Sequence, residues 1–283
     1  MKRFVSGKPC KSSRIALFCL ASTVIASAAA AGVPAVPAVG LGNVQFVLFG
    51  EIASGSDYDF IDVVGANRQV IGPLDRLFSA GAFANGDYTT EYVIGSDNGA
   101  LYTLDVTTGA ESLVGSTGAS GARMSMRWNP LSGAMTAVQP AADCSSSMLL
   151  TIDLATGLAT PIGALDGVCA QSMAIDASAN VYLLDAATSS LDRIDGTTGD
   201  LETVGPLGFA FGPGAAMDID VTSGLLFLYD FDGTDAVYAV DTSTGFAQVI
   251  APLGSDFPTM TAFAFGFTSA ATIFADGFDA AGQ

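Results

Sequence analysis

The sequence predicts an all-β fold, a five-bladed β-propeller whose blades each have about four antiparallel strands. Three observations carry this prediction. A twelve-residue stretch containing Asp-x-x-Thr-Gly or a close variant occurs four times, starting at Leu104, Ile152, Ile194 and Val240. Its aspartates lie 48, 42 and 46 residues apart, close to the length of one propeller blade. The segments between them alternate apolar and polar residues in short runs and have no helical stripe.

Each repeat contains four short strands. The unit from Cys169 to Gly205 divides into QSMAID, NVYLLDA, SLDRIDG and LETVG, separated by turn residues. Asp-x-x-Thr-Gly then forms the hairpin between the third and fourth strands. Asp accepts hydrogen bonds from backbone amides just after it, and Gly provides the positive φ of the turn. This role explains why the motif recurs, and we expect no metal site at these aspartates.

Both ends of the chain are needed to complete the fifth blade. A degenerate copy, IDVVGANRQVIG, starts at Ile61, and its Asp62 precedes Asp105 by 43 residues. The N-terminal unit from Val44 has room for three strands, VQFVLFGEIA, YDFIDVV and RQVIG. The segment MTAFAFGF from Met260 provides a lone first strand. Closing the ring in this way protects the sheet edges, and it predicts five blades rather than six.

The first 31 residues have the features of a secretory signal peptide. Five basic residues precede an alanine-rich apolar run that is short for a membrane span, and small residues suitable for cleavage follow it. We therefore expect a signal peptide over 1–31, an Ala/Pro/Gly linker over 32–43, the propeller over 44–269 and a tail with the motif IFADGFD over 270–283. These features predict a bacterial protein that is secreted to the periplasm, cell surface or medium, without membrane insertion after cleavage.

The negative net charge of the chain limits the kinds of molecule that it can bind. The chain carries a formal charge of −18, and removing a signal peptide that holds five of its ten basic residues makes this −23. Such a surface repels nucleic acid and anionic lipid, so we expect neither as a partner. We expect a monomer that binds an extracellular saccharide or protein.

The two cysteines outside the signal peptide predict a disulfide. An even pair in an exported protein is normally oxidised, which favours a Cys144–Cys169 bridge. Cys144 falls between the second and third strands of its blade, and Cys169 falls in the crossing to the next blade. Those two loop types emerge on the same face of a propeller. We therefore expect Cα atoms about 4.4 to 6.8 Å apart.

The residue inventory excludes most enzyme chemistry. The chain has no histidine, and all of its lysines lie in the signal peptide. Catalysis by Ser-His-Asp, Cys-His or a Schiff-base lysine is therefore excluded. Paired carboxylates remain, so one alternative is a glycan-active enzyme, a glycosidase or a lyase. The sequence favours a binding or interaction module without a cofactor over that enzyme, and a structural surface-layer component is a third alternative.

Two groups of residues are candidates for ligand binding. Aligning the first strands of three units places Arg127, Ala174 and Asp218 at one position beside the central tunnel. Charged residues at this position either contact something in the tunnel mouth or form a buried structural pair. The loops that join blades contain aromatic residues that either contact a sugar or peptide or fill gaps between blades. These residues are Phe78, Phe209, Phe211 and Phe257.

The repeat type LYTLDVTTG resembles those of bacterial propellers of the surface-layer (YVTN) and PQQ-like kinds. The resemblance covers about Val44 to Phe267 and implies the propeller architecture. It does not extend to a PQQ site, because the tryptophans that dock this cofactor are missing and Trp128 is the only tryptophan. The ending IFADGFDAAGQ, from Ile273, resembles a short I-F-x-D-G-F-[DE] tail of exported proteobacterial proteins.

Overall fold

Antiparallel pairing arranges the chain in sheets of four strands. The computed structural model describes residues 36–42, 47–52, 69–70, 74, 76–105, 108–120, 123–221, 224–230, 236–252 and 260–265. Side-chain environments are described within these ranges from Leu74 to Val249. The predicted signal peptide, the predicted tail and Phe257 lie outside the described residues. In the described part of the chain, no helix is long and apolar enough to cross a membrane.

Four sheets are built from consecutive strands, and we name them blades I to IV. Blade I contains β4 (Phe78–Ala84), β5 (Asp87–Gly95), β6 (Ala100–Asp105) and β7 (Glu111–Ser116). Blade II contains β8 (Ser125–Asn129), β9 (Ala134–Pro140), β10 (Ser146–Ile152) and β11 (Ala159–Asp166). Blade III contains β12 (Ala170–Ile175), β13 (Val181–Asp185), β14 (Ser190–Ile194) and β15 (Leu201–Pro206). Blade IV contains β16 (Ala216–Asp220), β17 (Leu225–Asp230), β18 (Ala236–Val240) and β19 (Ala247–Pro252).

A further four-stranded sheet, which we call the closing sheet, joins the two ends of the chain. Its order is β20-β1-β2-β3, formed by β1 (Val36–Gly42), β2 (Val47–Ile52), β3 (Gln69–Val70) and β20 (Met260–Phe265). The strand at 36–42 differs from the linker predicted over 32–43. Pro37 fits this strand because β20 pairs only with residues from Ala38 onward. The predicted strand YDFIDVV lies outside the described residues.

The first strands of the sheets surround an axis. Each of these strands contacts the next around the axis, in the order β4, β8, β12, β16 and β20, and β20 contacts β4 again. We call these five the inner strands. The core lies between neighbouring blades, where each blade presses one apolar face against the next. The architecture is therefore an all-β propeller, with four blades described through their side chains and the closing sheet described by its backbone.

The Asp-x-x-Thr-Gly segments form the predicted hairpins between the third and fourth strands. In the hairpin at Asp153, the carboxylate accepts hydrogen bonds from the amides of Ala155 and Thr156, and Gly157 has a φ of 84°. The hairpin at Asp195 repeats this arrangement with Gly199. These amide bonds hold the pKa of both aspartates below its usual value. The motif therefore serves the turn, as the sequence predicts.

The disulfide between Cys144 and Cys169 is confirmed, with Cα atoms 4.8 Å apart. Cys144 lies in the β9–β10 loop, and Cys169 lies between β11 and β12. The bridge therefore joins blade II to the start of blade III. It also marks the face that carries the loops between second and third strands and the loops that join blades, which we call the loop face.

Candidate functional site: the axis and the loop face

Arg127 crosses the axis of the propeller. Its Nη1 donates to the carbonyl oxygens of Gly81 at 2.9 Å and Met126 at 2.6 Å, and its Nη2 donates to that of Met217 at 2.6 Å. The strand registers place these three carbonyls at equivalent positions in blades I, II and IV. One guanidinium thus joins three inner strands. Blade III has Ala174 at the position of Arg127, and this alanine packs in the apolar cluster between blades III and IV.

Asp218 neutralises this guanidinium. Its Oδ1 lies 2.8 Å from Arg127 Nε and also accepts the backbone N–H of Ile219 at 2.9 Å. Both side chains of the pair are 8 % exposed. The two residues that the alignment singled out beside the tunnel therefore contact each other, as a buried ion pair.

Glu91, on β5, adds a third buried ionisable group near the axis. It is 0 % exposed, and neither carboxyl oxygen has a hydrogen-bond partner among the described residues. Burial raises the pKa of its carboxyl to about 8, while the charge of Arg127 opposes the rise and that of Asp218 adds to it. At neutral pH Glu91 is therefore mainly protonated, and Arg127 and Asp218 balance each other.

The space left at the tunnel mouth is small and polar. A cavity of about 20 Å³ lies among the inner strands, with Arg127 in its wall, which is room for a single water molecule. Ser125 and Ser172 line it, and their hydroxyls accept the backbone N–H of Met173 and Met217 on the next inner strand. Among the described side chains, this cavity therefore has no room for more than about one water molecule.

The candidate aromatic residues are held by packing. Phe78 is 1 % exposed and lies edge-on to Tyr102. Phe209 stacks on Tyr238 with ring centroids 4.2 Å apart, and Phe211 packs against the core cluster between blades III and IV. Phe209 and Phe211 remain partly exposed on the loop face, whereas a ligand would reach Phe78 only after rearrangement.

A larger pocket lies on the loop face at the top of blade II. Its volume is about 330 Å³, and it is bordered by Ser120, Gln139, Ala142, Ser146 and Met148. Gln139 Nε2 donates to Ser120 Oγ at 2.6 Å across the pocket wall. The pocket has no charged side chain in its lining. Within the described ranges, no group of three or more acidic or cysteine side chains could hold a metal ion.

The strand repeats contain signals for the residues that the sequence analysis missed. Glu91 lies at a position of the second strand where the other blades have an apolar residue, Met135, Val181 or Leu226. A carboxyl therefore replaces an apolar side chain in blade I. The two bridging serines both belong to a Ser-Met pair in the first strand. An alignment of individual strands, rather than of the hairpin motif, would have found both features.

Comparison with known proteins identifies the fold alone. No protein-family model and no curated protein matches the sequence. A chain in the crystal structure of a nidogen/laminin complex superposes with a TM-score of 0.56 at 10 % identity, covering 82 % of this chain and 99 % of that one. Regucalcin from Agrobacterium tumefaciens strain C58, described as a calcium-binding protein, superposes with a TM-score of 0.50 at 15 % identity, covering 86 % and 90 %. These neighbours are propellers, which agrees with the sheet arrangement.

Proposed function

We propose that this protein is a secreted propeller that binds an extracellular ligand on its loop face. The observation that carries the proposal is the filled axis. Arg127 spans the inner strands, and the cavity beside it holds about one water molecule. The loop face offers more room for a ligand, since the larger pocket and the partly exposed Phe209 and Phe211 lie there.

Five blades complete the ring in this proposal, with the closing sheet as the fifth. The support is that its first strand, β20, contacts both β16 and β4. Its other three strands come from the N-terminal part of the chain, which ties both chain ends into one sheet. The repeated Asp-x-x-Thr-Gly hairpins support membership in the YVTN or PQQ-like group of repeats.

Export is supported by two independent features. The Cys144–Cys169 bridge persists in oxidising compartments and is rare in the cytosol. Residues 1–31 have the composition of a signal peptide. A net charge of −18 before cleavage disfavours nucleic acid as the ligand, which leaves an extracellular saccharide or protein.

Binding is favoured over catalysis by the placement of the carboxylates. Glu91 is fully buried and Asp218 is 5 % exposed, and Asp218 is held by Arg127. A pair of acids that cleaves a glycan must reach the glycosidic bond, and neither of these residues reaches solvent. The burial of these two carboxylates therefore favours binding over catalysis at the axis.

Two assays on the exported, processed protein test this function. A glycan array combined with binding to immobilised extracellular proteins should give binding, and a polysaccharide hydrolysis screen should give no turnover. Turnover that disappears on substitution of a single exposed Asp or Glu, in a variant that still folds, would establish the glycan-active enzyme instead. N-terminal sequencing of the exported protein should find that residues 1–31 have been removed.

A further inference from the structure

Blade II differs from blades III and IV at one position beside the pocket at its top. Strand register places Gln139 where blades III and IV have Asp185 and Asp230. Those aspartates are 2 % and 0 % exposed. The Asp185 carboxylate accepts the backbone N–H of Cys169, and that of Asp230 accepts the N–H of Gly212. In both blades a buried carboxylate thus ties the joining loop to the end of the second strand.

Blade II has a bond between two side chains in place of this tie. The Gln139 amide is only partly buried and reaches the side chain of Ser120 rather than a backbone N–H of the joining loop. Beside it stands Met148, at the position of the buried Ser190 and Ala236 in the next two blades. The loop is not drawn onto the strand, and a pocket of about 330 Å³ opens between them.

The wall of this pocket is fixed before any ligand arrives. Ser147 Oγ donates to the carbonyl of Val168 at 2.8 Å and accepts the N–H of Ala170 at 2.9 Å. The Cys144–Cys169 bridge adds a covalent link at the same end of the blade. A rigid wall lowers the entropy that binding would otherwise cost.

The chemistry of the lining selects the ligand. Gln139 offers an amide oxygen, Ser120 and Ser146 offer hydroxyls, and Met148 and Ala142 offer apolar surface. No charged side chain belongs to the lining, and the acidic surface repels anions. A volume of about 330 Å³ lies at the low end of the range for small-molecule pockets, which is roughly 300 to 1,000 Å³.

We propose that this pocket binds a neutral, hydroxylated ligand with the size and chemistry of one or two sugar rings. Hydroxyl groups of the ring pair with Gln139, Ser120 and Ser146, and its C–H face lies on Met148. This inference rests on the proposed function and names the ligand class and the place on the loop face where it binds.

Ligand-detected NMR with defined sugars tests the inference. The probes are glucose, galactose, mannose, N-acetylglucosamine, cellobiose, lactose and chitobiose, with glucuronate as a charged comparison. At least one neutral probe should receive saturation from the protein, and glucuronate should bind at least tenfold more weakly than the matching neutral sugar. Gln139→Ala, which removes the amide without adding charge, and Gln139→Asp, which restores the residue of blades III and IV, should each weaken binding about tenfold or more.

The matched control is Gln248→Asp, which makes the same change on the exposed face of β19 and should leave binding within twofold of the wild type. Melting temperatures of all variants establish that each one folds. The proposed binding site is refuted if no neutral probe receives saturation, or if the wild type and both Gln139 variants bind equally well. A protein that binds polymers or proteins on arrays but fails this NMR test retains the proposed function and loses this site.

Discussion

Neighbouring blades are joined in two different ways. At the junctions I/II and III/IV, the outermost strands meet end to end through backbone. The N–H of Ala159 donates to the carbonyl of Thr117, and that of Ala247 donates to Leu207, both at 3.0 Å. At the junction II/III, the equivalent residues are Leu201 and Leu165, and the nearby Gly163 has no atom of the following blade within 4 Å of an added Cβ. The repeated hairpin therefore does not guarantee a repeated interface.

Side-chain size explains the difference. At the start of the outermost strand, blades II and IV have the small Ala159 and Ala247. Blade III has Leu201 at this position, and its side chain is 40 % exposed. At the tight junctions, glycines also meet: a Cβ on Gly115 or Gly205 would overlap a hairpin carbonyl of the following blade. At the equivalent Gly163, nothing lies within 4 Å of an added Cβ. Of the three junctions whose side chains are described, junction II/III also has the smallest apolar cluster, with nine buried residues against eleven and fourteen.

Junction II/III is reinforced elsewhere. On the loop face the Cys144–Cys169 bridge crosses it, whereas at the axis Arg127 of blade II contacts Met217 and Asp218 of blade IV. The covalent link therefore strengthens the junction whose outer strands pack more loosely. Each of the following predictions tests one part of this account.

The largest effect is expected from removing Arg127. Arg127→Met leaves the Asp218 carboxylate buried without its partner, and breaking such a pair costs about 3 to 5 kcal/mol. Denaturant unfolding measures the loss. The control is Arg193→Met, whose pair with Glu202 is 31 % and 55 % exposed and should contribute less than about 1 kcal/mol. Equal losses in the two variants would contradict a special role for the axis.

Loss of the disulfide should come next. Replacing both Cys144 and Cys169 by alanine frees a loop of 25 residues, which corresponds to about 3 to 4 kcal/mol in the chain-entropy account. Thermal and denaturant unfolding of the variant and of the reduced wild type should agree. A loss below about 1 kcal/mol would mean that junction II/III does not depend on this bridge.

The glycine contacts provide a matched pair of substitutions. Gly205→Ala should destabilise the protein by about 2 to 3 kcal/mol, because the new methyl overlaps the Thr244 carbonyl at the tight junction III/IV. Gly163→Ala, at the same repeat position beside junction II/III, should be neutral or slightly stabilising. If both variants lost the same stability, the two kinds of junction would not differ in packing.

The buried carboxyl of Glu91 makes the stability of the folded protein depend on pH. Its pKa is about 8 in the folded protein and near 4.5 when unfolded, so the folded state holds the extra proton between these values. This group therefore lowers stability by about 1.4 kcal/mol for each pH unit of rise in that window, and adds no further loss above about pH 8. Glu91→Gln should reduce the decline measured between pH 6 and pH 7 by that amount. An unchanged slope would mean that Glu91 is ionised in the folded protein.

Much of the fold could be predicted because the hairpins are local. Asp153 and Gly157 determine their turn through neighbouring amides and backbone angles, and this pattern is visible along the chain. The disulfide followed from topology, since both cysteines fall in loops of one face. The strand at 36–42 was missed because its proline and glycines are typical of a linker, whereas pairing with β2 and β20 decides its structure.

The sites were less predictable because they depend on differences between blades. Arg127 and Asp218 were singled out as charges beside the tunnel, but their direct contact depends on how blades II and IV meet at the axis. Gln139 was overlooked because its meaning appears only when the buried Asp185 and Asp230 are placed beside it in register. Such residues are recognised by position in the repeat rather than by a motif.

Hydrogen exchange with and without reductant tests the central claim most directly. Reduction removes the bridge at junction II/III and leaves the other two junctions chemically unchanged. The account predicts faster amide exchange in β11 and β12 of the reduced protein, with β4 to β7 and β16 to β19 exchanging as before. A uniform acceleration over all blades, or no change in β11 and β12, would contradict the claim that the bridge strengthens this junction.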